Sequence, residues 1–156
     1  MIKKKIYRIG VVFLTIVSLS GLTSCNDWLD VKPKTEEEAA SLFATLDGFK
    51  SALAGCYIGL CQPELYGREL TYGMVGVLGQ EWGKGATAYS YLQNYNYEQS
   101  ASKVLIDQAW NKMYESVANV NTLIEYTELK KEVLGDYYAV VRGEALAMRA
   151  YIHFDL

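Results

Sequence analysis

The sequence predicts a mainly α-helical protein with the character of a helical repeat. Two long stretches, which begin near Ser102 and Leu134, carry apolar residues at alternating steps of four and three positions. This spacing places those residues on one face of an α-helix. A third stretch, from Phe49 to Leu60, has a similar apolar face. Helices of this kind bury their faces against one another when short links join them.

The composition limits the class of protein and its partners. The chain has 156 residues, of which 51% are hydrophobic and 21% are charged, as expected for one folded domain or part of one. Four of the 15 basic residues lie in the first 24 positions, which hold no acidic residue, so the remaining 11 stand against 18 acidic residues. Because phosphate binding needs a basic surface, we expect no nucleic-acid partner.

Cofactor, metal and enzyme chemistry find no support in the sequence. One His and 3 Cys are too few for the usual zinc site built from protein side chains. The glycine-rich run 79–85 is one residue too short for a P-loop, and Gly85 stands where that motif needs Ser or Thr. No nucleophile has a base beside it in the sequence. We therefore expect no cofactor, no metal site and no enzymatic activity.

Residues 1–24 are predicted to be a lipoprotein signal peptide. A basic segment, Lys3 to Arg8, precedes an apolar segment, Val11 to Leu22, which is too short for a comfortable membrane span. Leu22-Thr23-Ser24-Cys25 resembles a lipobox, so Cys25 is the predicted site of lipidation. A plain secretory signal with a chance cysteine is the alternative. Residues 25–34 would then form a tether, and its two Asp residues resemble a surface-export signal or an ordinary polar spacer.

Two helices are predicted before residue 61. Thr35 with the acidic residues that follow it starts a short helix that ends near Ala44. Thr45 or Asp47 can cap a second helix, which ends at Gly59 or before Pro63. Its apolar face consists of Phe49, Ala52, Leu53, Cys56, Tyr57 and Leu60. Cys56 and Cys61 are predicted to be mostly buried free thiols, although a break at Gly59 would permit a disulfide.

Residues 61–101 are predicted to form a long, partly ordered loop that is rich in glycine and aromatic residues. No sustained helical period occurs in it, and the alternation over 88–97 leaves a short strand or hairpin open. Loops of this length are usually functional or disordered, and this one is too aromatic to be simply disordered. Aromatic faces stack on sugar rings, and amides hydrogen-bond hydroxyl groups. The candidate ligand-binding residues are Trp82, Tyr89, Tyr91, Gln93, Asn94 and Tyr95. Packing against further parts of a larger protein is the alternative.

A helical hairpin is predicted for the rest of the chain. The first stripe consists of Ile106, Trp110, Met113, Val117, Val120 and Ile124, and the second of Leu134, Tyr138, Val141, Ala145, Met148 and Ile152. A short link near 127–132 makes the two helices antiparallel. Arg142, Glu144 and Arg149 are expected to form pairs within their own helix and with neighbouring helices, and His153 is expected on the helix surface.

Several segments in order resemble the RagB/SusD family of outer-membrane lipoproteins. Residues 25–33, with the sequence CNDWLDVKP, are similar to the mature start of these proteins. Residues 45–57 resemble their first long helix, and Trp110-x-x-x-Tyr114 with Asn119-x-Asn121 resembles the next. Residues 143–156 resemble the family's most recognisable helix.

The resemblance implies a SusD-like scaffold of tetratricopeptide-like helix pairs. It also implies a lipid anchor in the outer membrane, with the protein facing the cell exterior. The implied function is capture of a glycan or other nutrient and its delivery to a SusC-like TonB-dependent transporter, without catalysis. The ligand residues of the family vary, so none is transferred here by motif.

Members of this family are several times longer than this chain. The sequence therefore predicts that 35–156 is the N-terminal part of a SusD-like domain, with 61–101 as a loop insertion, in a truncated form. Two other interpretations remain open: a helical-repeat lipoprotein that binds an envelope protein through 104–156, and a non-functional truncated product.

Overall fold

The computed structural model describes residues 34–83 and 87–156, with side chains described from Glu38 onward. The predicted signal peptide, Cys25 and the tether up to Pro33 lie outside the described residues. Glu38–Leu156 forms one unit, and Met1–Glu37 is a separate unit. The described residues contain helices and turns and no strand, so the prediction of a mainly α fold is confirmed.

The first two helices are α1, Lys34–Leu42, and α2, Leu46–Leu60. Thr45 is the N-cap of α2, because its side chain accepts a hydrogen bond from the backbone N–H of Gly48 at 3.1 Å. Gly48 is required at this point, since any Cβ there would collide with the carbonyl oxygen of Leu42. The close approach lets the chain turn sharply from α1 into α2.

The segment that follows α2 is more ordered than the predicted loop. It consists of turns and two short helices, α3, Met74–Leu78, and α4, Thr87–Gln93. The alternative of a strand or hairpin over 88–97 is wrong, because α4 occupies much of that range. A strand needs a neighbouring strand for its backbone N–H and C=O groups. The described residues offer none, and a helix satisfies these groups locally.

The remaining helices form the predicted antiparallel hairpin. They are α5, Ser100–Leu129, the short α6, Lys131–Leu134, and α7, Tyr138–Asp155, with a 3-10 turn at Gly135–Tyr137. Arg142 donates a hydrogen bond to Glu128, and Arg149 donates one to Asn121 at 3.1 Å. The partner thus moves seven positions back along α5 when the donor moves seven forward along α7, which shows that the two helices are antiparallel.

The core lies where α2 packs against the α5–α7 hairpin. The predicted stripe of the second hairpin helix is confirmed from Val141 to Ile152, whereas Leu134 lies on α6 and is also buried. Trp110 departs from its stripe: 51% of it is exposed, and Ala109 is buried in its place. Alternating steps of four and three average about 3.5 residues per turn, whereas an α-helix has about 3.6. The apolar stripe therefore drifts around the 30-residue helix, and its two ends cannot both face the core.

The predicted pairing with neighbouring helices is confirmed for Arg142, Glu144 and Arg149. Glu144 accepts a hydrogen bond from the Tyr57 hydroxyl at 3.0 Å, in addition to the two arginine contacts with α5. Cys56 and Cys61 are free thiols, as predicted. Cys56 is buried, whereas the prediction of burial is wrong for Cys61, which is exposed just after the end of α2. Within the described ranges, no helix combines the length and apolarity needed to cross a membrane.

Candidate functional site

The aromatic segment, defined here as residues 66–83 and 87–97, folds against the hairpin rather than apart from it. α3 packs on α4, and α4 packs on α5. Leu92 on α4 and Val77 on α3 are both buried, at 0% and 1% exposure. The sequence encodes this arrangement weakly, because each short helix contributes few apolar side chains.

Trp82 and Tyr89, both candidate binding residues, are in direct contact. Their ring centroids lie 5.3 Å apart in an edge-to-face geometry, which is a favourable aromatic arrangement. The indole N–H of Trp82 donates to the backbone oxygen of Tyr72 at 2.6 Å. The indole also lies against Gly76, where an added Cβ would stand 3.0 Å from Trp82 Nε1. The indole is therefore fixed in position, with its polar edge turned into the protein.

A buried carboxylate, Glu69, organises the base of this cluster. It is only 1% exposed, and it accepts hydrogen bonds from the Tyr89 hydroxyl at 2.7 Å and from the Arg68 Nε at 2.7 Å. Its second oxygen accepts from the Met74 backbone N–H at 3.0 Å. Burial and the bond to Glu69 raise the pKa of Tyr89, and the same carboxylate raises the pKa of Arg68.

Gln80 joins α3 to the end of α4. Its side-chain amide donates to the carbonyl oxygen of Gln93 at 2.9 Å and to the hydroxyl of Tyr95 at 3.5 Å. The Tyr95 hydroxyl donates to the carbonyl oxygen of Leu78 at 3.2 Å. Gln80 and Tyr95 both have a left-handed backbone, with φ of 58° and 54°. Such conformations are costly for residues other than glycine, so the surrounding hydrogen bonds must hold them.

The six predicted residues do not form one continuous surface. Tyr89 and Gln93 are four positions apart on α4 and share the face near Trp82, whereas Tyr91 points from another side of the helix. The Asn94 amide donates to the Ser90 carbonyl oxygen at 2.8 Å, which closes the end of α4. Four of the six, Trp82, Tyr89, Gln93 and Tyr95, thus belong to one cluster around Gln80 and Glu69.

The accessible surface of the aromatic segment carries tyrosine rings and amides, together with the exposed charged side chains of Arg68 and Glu81. Tyr95 is 55% exposed, and Tyr72 and Tyr97 are exposed as well. Exposed tyrosine rings offer apolar faces, while Asn94 and Gln80 present amide groups nearby in sequence and on the surface. This combination suits a ligand with apolar C–H faces and hydroxyl groups.

Sequence reasoning missed Glu69 and Tyr72. Glu69 lies in an irregular turn, where no periodic pattern identifies buried positions, and charged residues are rarely fully buried. The available signal was its position beside Arg68, which is too common to be informative. Nothing in the sequence distinguishes Tyr72 from the other aromatic residues of the segment.

A second concave feature lies between α1, α2 and α5. It is a cavity of about 440 Å³. Its lining is mainly apolar and consists of Glu38, Ala39, Leu42, Phe43, Ala52, Gly55, Cys56, Asn119, Thr122 and Leu123. Among the residues from 38 to 83 and from 87 to 156, no group of His, Cys, Asp and Glu is arranged to hold a metal ion.

Comparisons with known proteins assign the family. Residues 27–156 match the model of a SusD-like family described as "Starch-binding associating with outer membrane". The chain is 27% identical over 163 aligned positions to the SusD-like protein P38 of Formosa agariphila, covering 97% of this chain and 29% of that protein. No solved structure matches. The chain therefore spans under a third of the length of this curated relative, and it belongs to the SusD-like family.

Proposed function

We propose that the protein is the ligand-capturing part of a cell-surface glycan-uptake system and is not an enzyme. The observation that carries this proposal is the family match over residues 27–156, whose description names starch binding and association with the outer membrane. The aromatic segment adds support, because it presents exposed tyrosine rings and amide groups at its surface.

Within the aromatic segment, we assign two roles to the six candidate residues. Tyr95, Tyr91 and Asn94 contact the ligand, Tyr95 through its exposed ring. Trp82, Tyr89 and Gln93 are more enclosed; they present ring edges and an amide and also hold the exposed groups in place. The ligand is a glycan or another hydroxyl-rich nutrient.

The proposal extends to the region before α1 and to the transporter. Residues 1–24 direct export, Cys25 carries the lipid, and 25–34 tether the domain to the outer membrane, facing the cell exterior. Acyl chains of this kind hold a protein by the burial of methylene groups, each contributing ~0.8 kcal/mol. The captured ligand passes to a SusC-like TonB-dependent transporter, and no nucleic acid or cofactor takes part.

Retention on a starch-containing native gel tests the binding. We expect the wild-type chain to be slowed and both Trp82→Ala and Tyr95→Ala to lose that retardation, because each removes a ring from the cluster. Trp110→Ala is the matched control, since Trp110 is an exposed aromatic on α5 outside the cluster. Far-UV circular dichroism confirms that each variant is folded. Equal retardation of all four proteins would remove the aromatic segment as the site.

Co-purification from outer membranes separates capture from the other interpretation, a helical-repeat protein that binds an envelope protein. Under our proposal a TonB-dependent transporter is recovered with the chain, and starch binding depends on Trp82. A chain that binds no glycan, yet recovers a protein partner regardless of Trp82→Ala, would favour the interaction protein.

A further inference from the structure

Helix α7 is apolar on two faces. One face, from Val141 to Ile152, is buried against α2 and α5. The opposite face is exposed and carries no charged side chain over about 20 Å of helix at 1.5 Å per residue. We call it the outer stripe of α7; its members are Val140, Gly143, Ala147, Ala150, Tyr151 and Phe154.

The charged residues of α7 lie at the edges of the outer stripe and contact other helices or turns. Arg142 and Arg149 donate to α5, and Glu144 accepts from Tyr57. Asp155 accepts from the Tyr66 hydroxyl at 2.6 Å. A surface helix normally turns its charges to water and its apolar residues to the core. The outer stripe departs from this pattern, because it is apolar although it faces outward. Helices that are apolar on both faces are typical of a protein interior.

The shape of the outer stripe suits another α-helix. Gly143 and Ala147 are one helical turn apart, and nothing lies within 4 Å of the place where a Cβ on Gly143 would stand. Small residues at this spacing leave a groove that a ridge of a second helix can enter, with axes ~8–10 Å apart. Val140 and Tyr151 flank the groove, and Phe154, which is 86% exposed, extends beyond it.

The source of that helix follows from the comparison of lengths. The chain aligns to 29% of its SusD-like relative, so that relative contains much further polypeptide. We propose that the outer stripe of α7 is the docking surface for a helix from that further part of a SusD-like polypeptide. An exposed apolar patch of this kind promotes aggregation when nothing covers it.

Site-directed photocrosslinking in the native host tests the proposal. Phe154 is replaced by p-benzoylphenylalanine in the chain expressed from its own gene, and crosslinked peptides are identified by mass spectrometry. We expect the partner peptide to derive from SusD-like polypeptide outside residues 1–156. The same photoreactive residue at Glu125, which is exposed on α5, should not give this crosslink.

A charge in the groove supplies the matched variant. Ala147→Glu should abolish the Phe154 crosslink, since it puts a carboxylate in the groove while keeping a good helix former. Ala118→Glu, an equivalent change on the exposed face of α5, should leave the crosslink intact. Crosslinks to 138–155 of a second copy, to another protein or to lipid would overturn the proposal. So would the absence of any crosslink, or a crosslink that survives Ala147→Glu.

Discussion

The Glu69 side chain shows how one residue can organise an irregular segment. Its carboxylate joins the side chains of Arg68 and Tyr89 to the backbone of Met74. Glu69→Ala leaves the tyrosine hydroxyl and the backbone N–H without an acceptor in a buried place. We therefore expect a loss of about 2–3 kcal/mol in the free energy of unfolding, measured by urea titration.

An exposed glutamate provides the control for that measurement. Glu98 pairs with Lys103 at 2.9 Å on the surface, where water screens the interaction. Glu98→Ala should give no measurable change in stability. Equal effects of the two substitutions would show that the hydrogen bonds of Glu69 contribute little.

The Tyr66 hydroxyl makes the free energy of unfolding depend on pH in the alkaline range. Burial and the hydrogen bond to Asp155 raise the pKa of its hydroxyl above the ordinary value. The folded state then holds this proton more tightly than the unfolded chain does. Its contribution to stability is complete below pH ~10, the pKa of an unfolded tyrosine, and is lost as the pH rises further. The wild type should therefore lose stability above pH ~10 more steeply than Tyr66→Phe, as urea unfolding at several pH values can determine. Parallel curves would refute this.

At the scale of the element, α5 contains two leucines in opposite environments. Leu123 is 1% exposed, and Leu129, six positions on, is 67% exposed. Leu123→Ala should cost about 2–4 kcal/mol through lost burial and the cavity it leaves. Leu129→Ala should stay within ~0.5 kcal/mol of the wild type. Thermal and urea unfolding of both variants measure the difference, which would vanish if α5 did not pack as described.

Helices with a continuous apolar stripe are the elements that the sequence predicts well. From Val141 to Ile152 every predicted core position is buried, because α7 has one partner surface along its length. Trp110 fails because the apolar stripe drifts around the long helix α5, so that Ala109 is buried in its place. Ala88–Tyr97 fails because alternation over a few residues does not distinguish a strand from a short helix. The burial of Glu69 cannot be predicted from a periodic pattern, since it depends on contacts between turns.

The whole molecule protects its two described cysteines differently. Cys61 is exposed, while Cys56 faces the core, and burial raises the pKa of the Cys56 thiol. Iodoacetamide reacts with the thiolate form of cysteine and not with the protonated thiol. We therefore expect it to modify Cys61 quickly, and Cys56 only when local unfolding exposes the core. Peptide mass spectrometry over time measures both sites separately from Cys25. Equal rates would mean that α2 does not hold Cys56 in the core.

The contacts between helices differ widely in sequence separation, and this difference predicts the order in which the helices pack during folding. Arg149 and Asn121 are 28 positions apart in the chain, whereas Tyr57 and Glu144 are 87 apart. Closing the longer loop costs about 1 kcal/mol more in chain entropy. We therefore expect the α5–α7 hairpin to form in the folding transition state, with α2 docking afterwards.

Stopped-flow kinetics of two core substitutions can determine this order. Val141→Ala, in the hairpin, should mainly slow folding, and Leu60→Ala, on α2, should mainly speed unfolding. The ribosome, however, makes α2 before the hairpin. The first long helix to be synthesised would then be among the last to dock, and its apolar face must stay soluble while translation proceeds through residue 152.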